Sequence, residues 1–220
     1  AASYGNEGAG LYEAVQAIGM DLCPALGVSI PVGKDSMSMS MQWKDDNGAI
    51  KAVVSPMSVV ITAFAPVVSV DQTWTPELRT DLGPSVLVFF DLAQGKQRLG
   101  GSALAQVFKQ LGSEAPDVEA AGLVKSFFVA CQKIRSSHPE MVLAYHDRSD
   151  GGLFTTIVEM AFAGRCGVEI ELDSVLAGSS DIMSLLFNEE LGAVIQVRQS
   201  DVRDLSNIFT EAGLPRSCIK

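Results

Sequence analysis

Basic residues are scarce in this chain, and long apolar runs are missing as well. It has 16 Lys and Arg residues against 26 Asp and Glu, for a formal net charge of −10. A nucleic-acid surface needs clustered Lys and Arg, and no such stripe occurs, so the sequence argues against a nucleic-acid partner. The longest apolar run, residues 57–70, is shorter than a bilayer span and contains Pro66, which argues against a membrane segment.

Metal-binding and nucleophile motifs are also missing. The two histidines are His138 and His146, and neither is part of an HExxH pair. No G-x-S-x-G elbow and no Rossmann glycine motif opens a helix after a strand. The cysteines are widely spaced without any CxxC, which disfavours a zinc site and a disulfide framework. We expect reduced and mostly buried thiols at Cys23, Cys131, Cys166 and Cys218.

The first residues carry no positively charged segment followed by an apolar one, so they do not form a signal peptide. They also lack an initiator methionine, and a helical pattern begins almost at once. We therefore expect an internal piece of a longer, cytoplasmic protein.

The first third of the chain predicts one helix followed by strands. Residues 10–23 carry an apolar stripe at helical spacing, which Pro24 is expected to end. Asn47-Gly48 is a strong hairpin signal, because both residues tolerate the positive φ of tight hairpin turns. Predicted strands cover residues 28–32, 36–43, 49–54 and 57–65, the last of them nearly continuous in apolar residues and expected to be central.

Strands and helices alternate after residue 84, which predicts a layered α/β (α+β) domain. The predicted strands are 86–92, 142–146, 168–172 and 193–197, and the predicted helices are 102–111, 123–136, 152–164, 182–187 and 202–212. Residues 71–84 contain Pro76 and Pro84 without a clear period and are interpreted as a linker. The predicted organisation is residues 1–70, the linker, and residues 85–220.

Gly33-Lys34-Asp35-Ser36 is the first candidate site and lies between two predicted strands. Glycine lets backbone N–H groups approach a phosphate, lysine neutralises its charge, and aspartate is a hard oxygen ligand for magnesium. The spacing is not that of a P-loop, and a strand follows where a helix should. A polar β-turn with no ligand is the alternative.

Residues 145–153 (YHDRSDGGL) form the second candidate, where a predicted strand ends and a helix begins. Ligands bind at such strand ends, and the N–H groups of the first helical turn favour anions. Asp147 could hold Mg²⁺, while Gly151 and Gly152 could present N–H groups to a phosphate. Alternatively, Ser149 and Asp150 are only helix caps.

Glu189 and Glu190 form the third candidate, at a helix-to-strand turn. Adjacent carboxylates can act as acid, base or metal ligand, because like charges held together shift each other's pKa. The alternative is a solvated polar face without a chemical role.

Five blocks of this sequence together resemble one family, the large-type formylglycinamide ribonucleotide amidotransferases, in their second synthetase half. The order of the blocks is that of the family, and they span nearly the whole chain. They are residues 7–12 (EGAGLY), 22–27 (LCPALG), 30–39 (IPVGKDSMSM), 144–153 (AYHDRSDGGL) and 187–197 (FNEELGAVIQV).

The resemblance implies a fold of the aminoimidazole ribonucleotide synthetase C-terminal-domain type, preceded by part of an N-terminal-type α+β subdomain. It implies ATP or ADP and Mg²⁺ as cofactors, and glutamine as the ammonia source for conversion of formylglycinamide ribonucleotide to the amidine. The expected partners are the rest of the parent polypeptide, namely the first synthetase half and the glutaminase domain.

By the same resemblance, Asp147 matches a magnesium ligand and Ser149 a nucleotide contact, with Gly151 and Gly152 in the same loop. In the family these belong to an auxiliary nucleotide site. The segment with Lys34, Asp35 and Ser36 matches a loop that reaches the active site of the first half, whereas Glu189 and Glu190 match a motif without an assigned chemical role.

The family's catalytic histidine, its other metal ligands and its nucleophilic cysteine have no counterpart in this sequence, so we expect the chain alone to be inactive. Exposed apolar surface near residues 59–64 is expected to favour a dimer through an open sheet edge. Two other hypotheses stay open at this point. One is a structural module that binds no ligand, and the other is an ATP-dependent kinase of the same superfamily.

Overall fold

The computed structural model describes residues 7–34, 36, 39–172 and 181–220 of the chain. It divides into two compact units, Ala1–Val67 and Val68–Lys220, called here the N-terminal and C-terminal units. The predicted linker, 71–84, lies within the C-terminal unit, where Leu78 is buried.

The N-terminal unit begins with a continuous helical segment. It comprises α1 (Glu7–Val15), a π-helical stretch (Gln16–Leu22) and α2 (Cys23–Leu26). The prediction that Pro24 ends the helix was wrong. Because the α-helical hydrogen bonding restarts at Cys23, Pro24 occupies a first-turn position that needs no N–H donor. Gly27, in the left-handed conformation with φ 78°, ends the segment instead.

A two-stranded antiparallel hairpin follows, formed by β1 (Ser40–Lys44) and β2 (Ile50–Val54). Its turn forms as the sequence predicts. The Asp45 carboxylate accepts the N–H groups of Asn47 and Ala49 at 3.0 and 2.9 Å, and Gly48 has φ 80°.

Two predicted strands of the N-terminal unit do not form. Residues 28–32 and 57–65 have no strand partner in the described part of the unit, and Val60 and Phe64 are each 92% exposed. An apolar run becomes a strand only when another chain segment pairs with its backbone. The prediction of a central strand at 57–65 was therefore wrong for this structure.

The C-terminal unit is built on a three-stranded antiparallel sheet in the order β3-β5-β4. The strands are β3 (Ser85–Asp91), β4 (Val142–Asp147) and β5 (Gly192–Arg198). The central strand β5 is thus the last of the three in the chain, and its burial on both faces accounts for its continuous apolar sequence. The layered α+β prediction is confirmed.

Helices cover both faces of this sheet. The helices of the described C-terminal unit are α3 (Ala103–Val107), α4 (Ala121–Ser137), α5 (Gly152–Gly164), α6 (Ile182–Phe187) and α7 (Val202–Glu211). The last four contribute buried residues to the two core clusters, whereas α3 has none. On one face Phe90 of β3 packs with Phe127 of α4 and Phe209 of α7. On the other face Phe89 belongs to a cluster with residues of α5 and α6. Neighbouring strand residues alternate between faces, which places these two phenylalanines in different layers.

Two helices, α5 and α6, have the predicted bounds. The predicted strand at 168–172 does not form: these residues belong to no strand. The segment that precedes β3 docks on the sheet through the side chain of Gln196. Its amide oxygen accepts the Arg79 N–H, and its amide nitrogen donates to the Arg79 carbonyl, both at 2.8 Å.

Candidate functional site

The second candidate motif becomes the connection between β4 and α5, which we call the 147–152 loop. Asp147 is the last residue of β4, and Gly152 is the first of α5. The structure therefore places the predicted site residues Asp147, Ser149 and both glycines together, at the end of one strand and the start of one helix.

Asp147 presents an exposed carboxylate that is held in place from behind. Its Oδ1 accepts a hydrogen bond from the Tyr145 hydroxyl at 2.5 Å. The Tyr145 ring lies 5.7 Å from the Trp74 ring, centroid to centroid. The backbone N–H of Tyr145 donates to the Thr75 carbonyl. Burial, and then the bond to Asp147, raise the pKa of Tyr145, so this hydroxyl stays a donor at neutral pH.

The two glycines are required by the path of the loop. Gly151 and Gly152 both have positive φ, at 82° and 70°. A Cβ on Gly152 would lie 2.6 Å from the Leu186 carbonyl oxygen, too close for any other residue. Glycine thus lets the start of α5 pass directly over the end of α6.

The N–H groups of both glycines bond within the chain. Gly151 donates to the Glu189 carboxylate at 2.8 Å, and Gly152 donates to the Ser149 carbonyl at 3.0 Å. The alternative interpretation, in which Ser149 and Asp150 cap the helix, does not hold, because the N-cap residue of α5 is Gly151, which has no side chain. Ser149 and Asp150 are exposed instead.

Glu189 and Glu190, the third candidate pair, have different environments. Oε1 of Glu189 accepts the N–H groups of Gly151 and Ala103. Glu190 is fully buried, and its carboxylate accepts from Nε and Nη2 of Arg98 at 2.6 and 2.8 Å. This bond, above all, raises the pKa of the Arg98 guanidinium. The solvated-face interpretation is therefore wrong for Glu190.

Arg148 is a buried residue of the loop that the sequence interpretation missed. Its guanidinium donates to the carbonyl oxygens of Glu190 and Leu191 and to Oδ1 of Asp91. It also lies 5.0 Å from the centre of the Phe89 ring. Burial lowers the pKa of Arg148, against the opposing effect of Asp91. The signal in the sequence was Asp91, a charged residue at the end of the otherwise apolar strand β3.

The first candidate motif lies in the N-terminal unit. Lys34 and Ser36 are exposed, and the Lys34 ammonium donates to the Ser36 hydroxyl at 3.0 Å. Asp35, the third predicted residue, lies outside the residues that the structure describes.

The 147–152 loop offers a metal ion two exposed carboxylates, those of Asp147 and Asp150. In the described ranges, no group of three or more His, Cys, Asp or Glu side chains could hold a metal. Mg²⁺ is commonly bound by one or two carboxylates together with the phosphates of a nucleotide and water. The exposed carboxylate of Asp147 fits that mode of binding, but it does not form a complete site.

The thiols are in the predicted state. All four cysteines are free, three of them buried and Cys166 half-buried. Among the residues that the structure describes, none of the helices has both the length and the apolar character needed to cross a bilayer.

Two family profiles match the chain. The FGAR-AT PurM_N-like domain matches residues 1–66, and the C-terminal domain of AIR synthase related proteins matches residues 86–219. The second match covers more than half of the chain and, apart from Ser85, all three strands of the larger sheet.

The chain is also similar in sequence to a curated protein and in structure to a solved one. A phosphoribosylformylglycinamidine synthase of Schizosaccharomyces pombe is 55% identical over 216 residues, which is 97% of this chain and 16% of that protein. The chain thus spans about a sixth of the length of this relative.

A solved structure, T. maritima PurL complexed with FGAR, matches with a TM-score of 0.51 at 14% identity. The match covers 87% of this chain and 30% of that one, and at this identity it supports the fold alone. The chain belongs to the AIR synthase related family, through that family's C-terminal domain, and resembles phosphoribosylformylglycinamidine synthase along both of its units.

Proposed function

We propose that this chain is one part of a glutamine-dependent amidotransferase of purine biosynthesis, which converts formylglycinamide ribonucleotide to formylglycinamidine ribonucleotide. The observation that supports it is the 55% identity to a synthase along 97% of the chain, with both domain matches in order. In the proposed reaction, ATP phosphorylates the amide oxygen of the substrate, and ammonia from glutamine displaces the phosphate.

Within that enzyme, the 147–152 loop would contribute an auxiliary Mg-nucleotide site. Asp147 offers one exposed carboxylate to Mg²⁺, and Ser149 offers an exposed hydroxyl two residues later. Gly151 and Gly152 would shape the loop, since their N–H groups already bond within the chain. The N–H groups of Leu153 and Phe154 come next in the first turn of α5, where N–H groups lack an acceptor one turn back.

The loop with Lys34, Asp35 and Ser36 would complete a neighbouring active site in the parent enzyme. Lys34 supports this role, because its ammonium is exposed and its described hydrogen bond goes to the nearby Ser36 hydroxyl. An exposed ammonium can neutralise the charge of a phosphoryl group during its transfer.

The partner of this chain would be the remainder of a cytoplasmic parent polypeptide, its first synthetase half and glutaminase domain. Two observations support that proposal: the matched relative is about six times longer, and the apolar residues of the N-terminal unit are largely exposed. In the isolated chain the same surface would favour a dimer.

A titration of the chain with ADP and MgCl₂ by calorimetry tests the auxiliary site. Asp147→Asn should lose the magnesium-dependent binding, because an amide is a neutral and weaker ligand for Mg²⁺. Asp150→Asn is the matched control, since it removes another exposed carboxylate three residues away and should leave binding unchanged. If Asp147→Asn binds Mg-ADP as tightly as Asp150→Asn and the unchanged chain do, the proposed role of Asp147 is contradicted.

A second experiment tests the parent activity. This chain replaces the matching 216 residues of the Schizosaccharomyces pombe relative, and amidine formation is assayed in the purified chimera. We expect the chimera to form the amidine at a rate similar to that of the unchanged relative. A chimera that folds and accumulates normally but forms no product would overturn the proposed function.

A structural module without ligand binding is the second candidate, favoured by one observation. The N–H groups of both loop glycines are already engaged, as is Oδ1 of Asp147. An absence of heat from the unchanged chain at millimolar Mg-ADP, together with an active chimera, would select this alternative.

A further inference from the structure

We propose that Glu189 is a positioning residue, which holds the 147–152 loop in the conformation that presents Asp147 and Ser149. Its role toward a ligand rests on the proposed nucleotide site, whereas its role in holding the loop rests on geometry alone. Glu189 would contact neither nucleotide nor metal.

The carboxylate of Glu189 joins two segments that are distant in sequence. Its Oε1 accepts the N–H of Gly151 at 2.8 Å and the N–H of Ala103 at 2.8 Å. The first lies 38 residues before Glu189 and the second 86. Hydrogen bonds to an ionised acceptor are about twice as strong as neutral ones, so this single oxygen ties the loop to the start of α3.

The same turn that carries Glu189 also holds the other end of the loop. Arg148 donates from its side chain to the carbonyl oxygens of Glu190 and Leu191, and from its backbone N–H to Gly192. The residue after Asp147 and the residue before α5 are therefore both fixed to residues 189–192.

Glu190 keeps this turn in place, which separates its role from that of its neighbour. Its buried carboxylate forms a two-bond ion pair with Arg98, and the Arg98 backbone N–H donates to the same carboxylate. The Asn188 side chain adds bonds to the Ser184 and Leu185 carbonyls of α6. Glu190 thus holds the turn at residues 189–192 through Arg98, and Glu189 holds the 147–152 loop through the Gly151 N–H.

Loss of the Glu189 carboxylate should free a segment with two consecutive glycines. Glycine has more backbone freedom than any other residue, so an untied Gly151-Gly152 pair would sample several conformations. Nucleotide binding would then have to order the loop, and the entropy lost in that ordering weakens affinity.

Glu189→Ala, Glu189→Gln and Glu140→Ala test the proposal in the full chain. Both N–H groups use one oxygen of Glu189, so a glutamine can supply it as its amide carbonyl. Glu140 is exposed, and its alanine variant controls for the loss of one negative charge. Amide hydrogen exchange by NMR, without nucleotide, reports on the Gly151 and Ala103 N–H groups, and calorimetry reports on Mg-ADP.

In Glu189→Ala we expect the Gly151 N–H to exchange at least about ten-fold faster and Mg-ADP affinity to fall about ten-fold, the value of one lost charged hydrogen bond. Glu189→Gln should restore part of both, because its amide carbonyl is a neutral and weaker acceptor, and Glu140→Ala should change neither. Urea unfolding and amide exchange in β5 separate a local effect from a global one. If the effect is local, exchange at the β5 amides should stay unchanged.

Unchanged exchange at Gly151 in Glu189→Ala overturns the proposal, whatever the affinity does. Faster exchange with unchanged Mg-ADP affinity overturns its connection to the site. If the unchanged chain binds no Mg-ADP, the auxiliary site fails, while the exchange measurement still decides whether Glu189 holds the loop.

Discussion

The two units of this chain differ in how much they bury. Among the described residues of the N-terminal unit, Cys23 alone is buried, while Val60 and Phe64 are 92% exposed. In the C-terminal unit Phe90 and Phe209 are fully buried at the centre of a packed aromatic group. Yet the apolar patterns of the two regions look equally strong in sequence.

The difference separates local from non-local determinants of structure. The hairpin of the N-terminal unit is specified by a turn whose bonds lie within residues 45–49. The C-terminal unit is specified by contacts between strands about a hundred residues apart, such as Ser85 with Arg198. Local bonds define the course of the chain, but only the packed sheet buries enough apolar surface to contribute most of the stability.

Truncation of an aromatic residue in each unit should give the largest contrast. Phe90→Ala is expected to lower the free energy of unfolding by about 3–5 kcal/mol, because it leaves a cavity between Phe127 and Phe209. Phe64→Ala should change it by less than about 0.5 kcal/mol, since the side chain is exposed. Urea unfolding measures both: Trp74 fluorescence in a Trp43→Phe background follows the C-terminal unit, and Trp43 fluorescence in a Trp74→Phe background follows the N-terminal unit. Similar losses in the two variants would contradict the contrast.

Removal of one charged group from an ion pair should give the next largest difference. Arg148→Met is expected to cost about 3 kcal/mol, because it leaves buried Asp91 without its guanidinium. Lys51→Met, from the exposed pair with Asp45 at 3.6 Å, should cost less than about 1 kcal/mol.

The same urea experiment compares these two variants at low and high salt. The effect of Lys51→Met should shrink as salt screens the exposed pair, while that of Arg148→Met should persist. An Arg148→Met protein as stable as the unchanged chain would contradict the expected contribution of the buried Arg148–Asp91 pair to stability.

A substitution in the hairpin turn should have a smaller and local effect. Gly48 has φ 80° with open space around the position of a Cβ, so Gly48→Ala meets only backbone strain, about 1–2 kcal/mol. Amide exchange should become faster at Ala52, which pairs with Gln42 in the hairpin, while the amides of β5 keep their protection. Faster exchange in both regions would show that the hairpin and the larger sheet unfold together.

Alkaline pH should produce the smallest effect, through a buried thiol of the C-terminal unit. Burial raises the pKa of Cys131 from 9.0 to about 12. Above pH 9 the unfolded chain releases this proton first, so the folded state loses stability as pH rises, by about 1 kcal/mol at pH 10. Cys131→Ala should flatten the pH dependence of unfolding between pH 8 and 10. An equally steep dependence in that variant would assign the effect to other groups.

The sequence predicts helices well where a local signal marks their first residue. α5 and α6 have the predicted bounds, since Gly152 and Asp181 mark their starts within the sequence window itself. The predicted strands at 28–32, 57–65 and 168–172 have no such support. Apolar residues at strand spacing indicate what a segment can do, but the partner strand that makes it a strand lies elsewhere.

In the candidate site, too, the features set by neighbouring residues could be predicted, and those set by distant residues could not. The position of Asp147, Ser149 and the two glycines between a strand and a helix follows from residues 142–164 alone. What holds them does not, because Glu189 and Arg98 reach across 38 and 92 residues to make their bonds. Two adjacent glutamates resemble a solvated surface until the fold brings an arginine to one and backbone N–H groups to the other.

The strand order has a consequence for how this domain is made. β5 lies between β3 and β4, yet it follows both in the chain, so neither pairing can form until residues 192–198 have left the ribosome. Such distant pairing makes folding slow compared with helix formation. While residues 148–198 are being made, the C-terminal unit therefore carries both outer strands without their central partner, and this interval is where a chaperone would act on it.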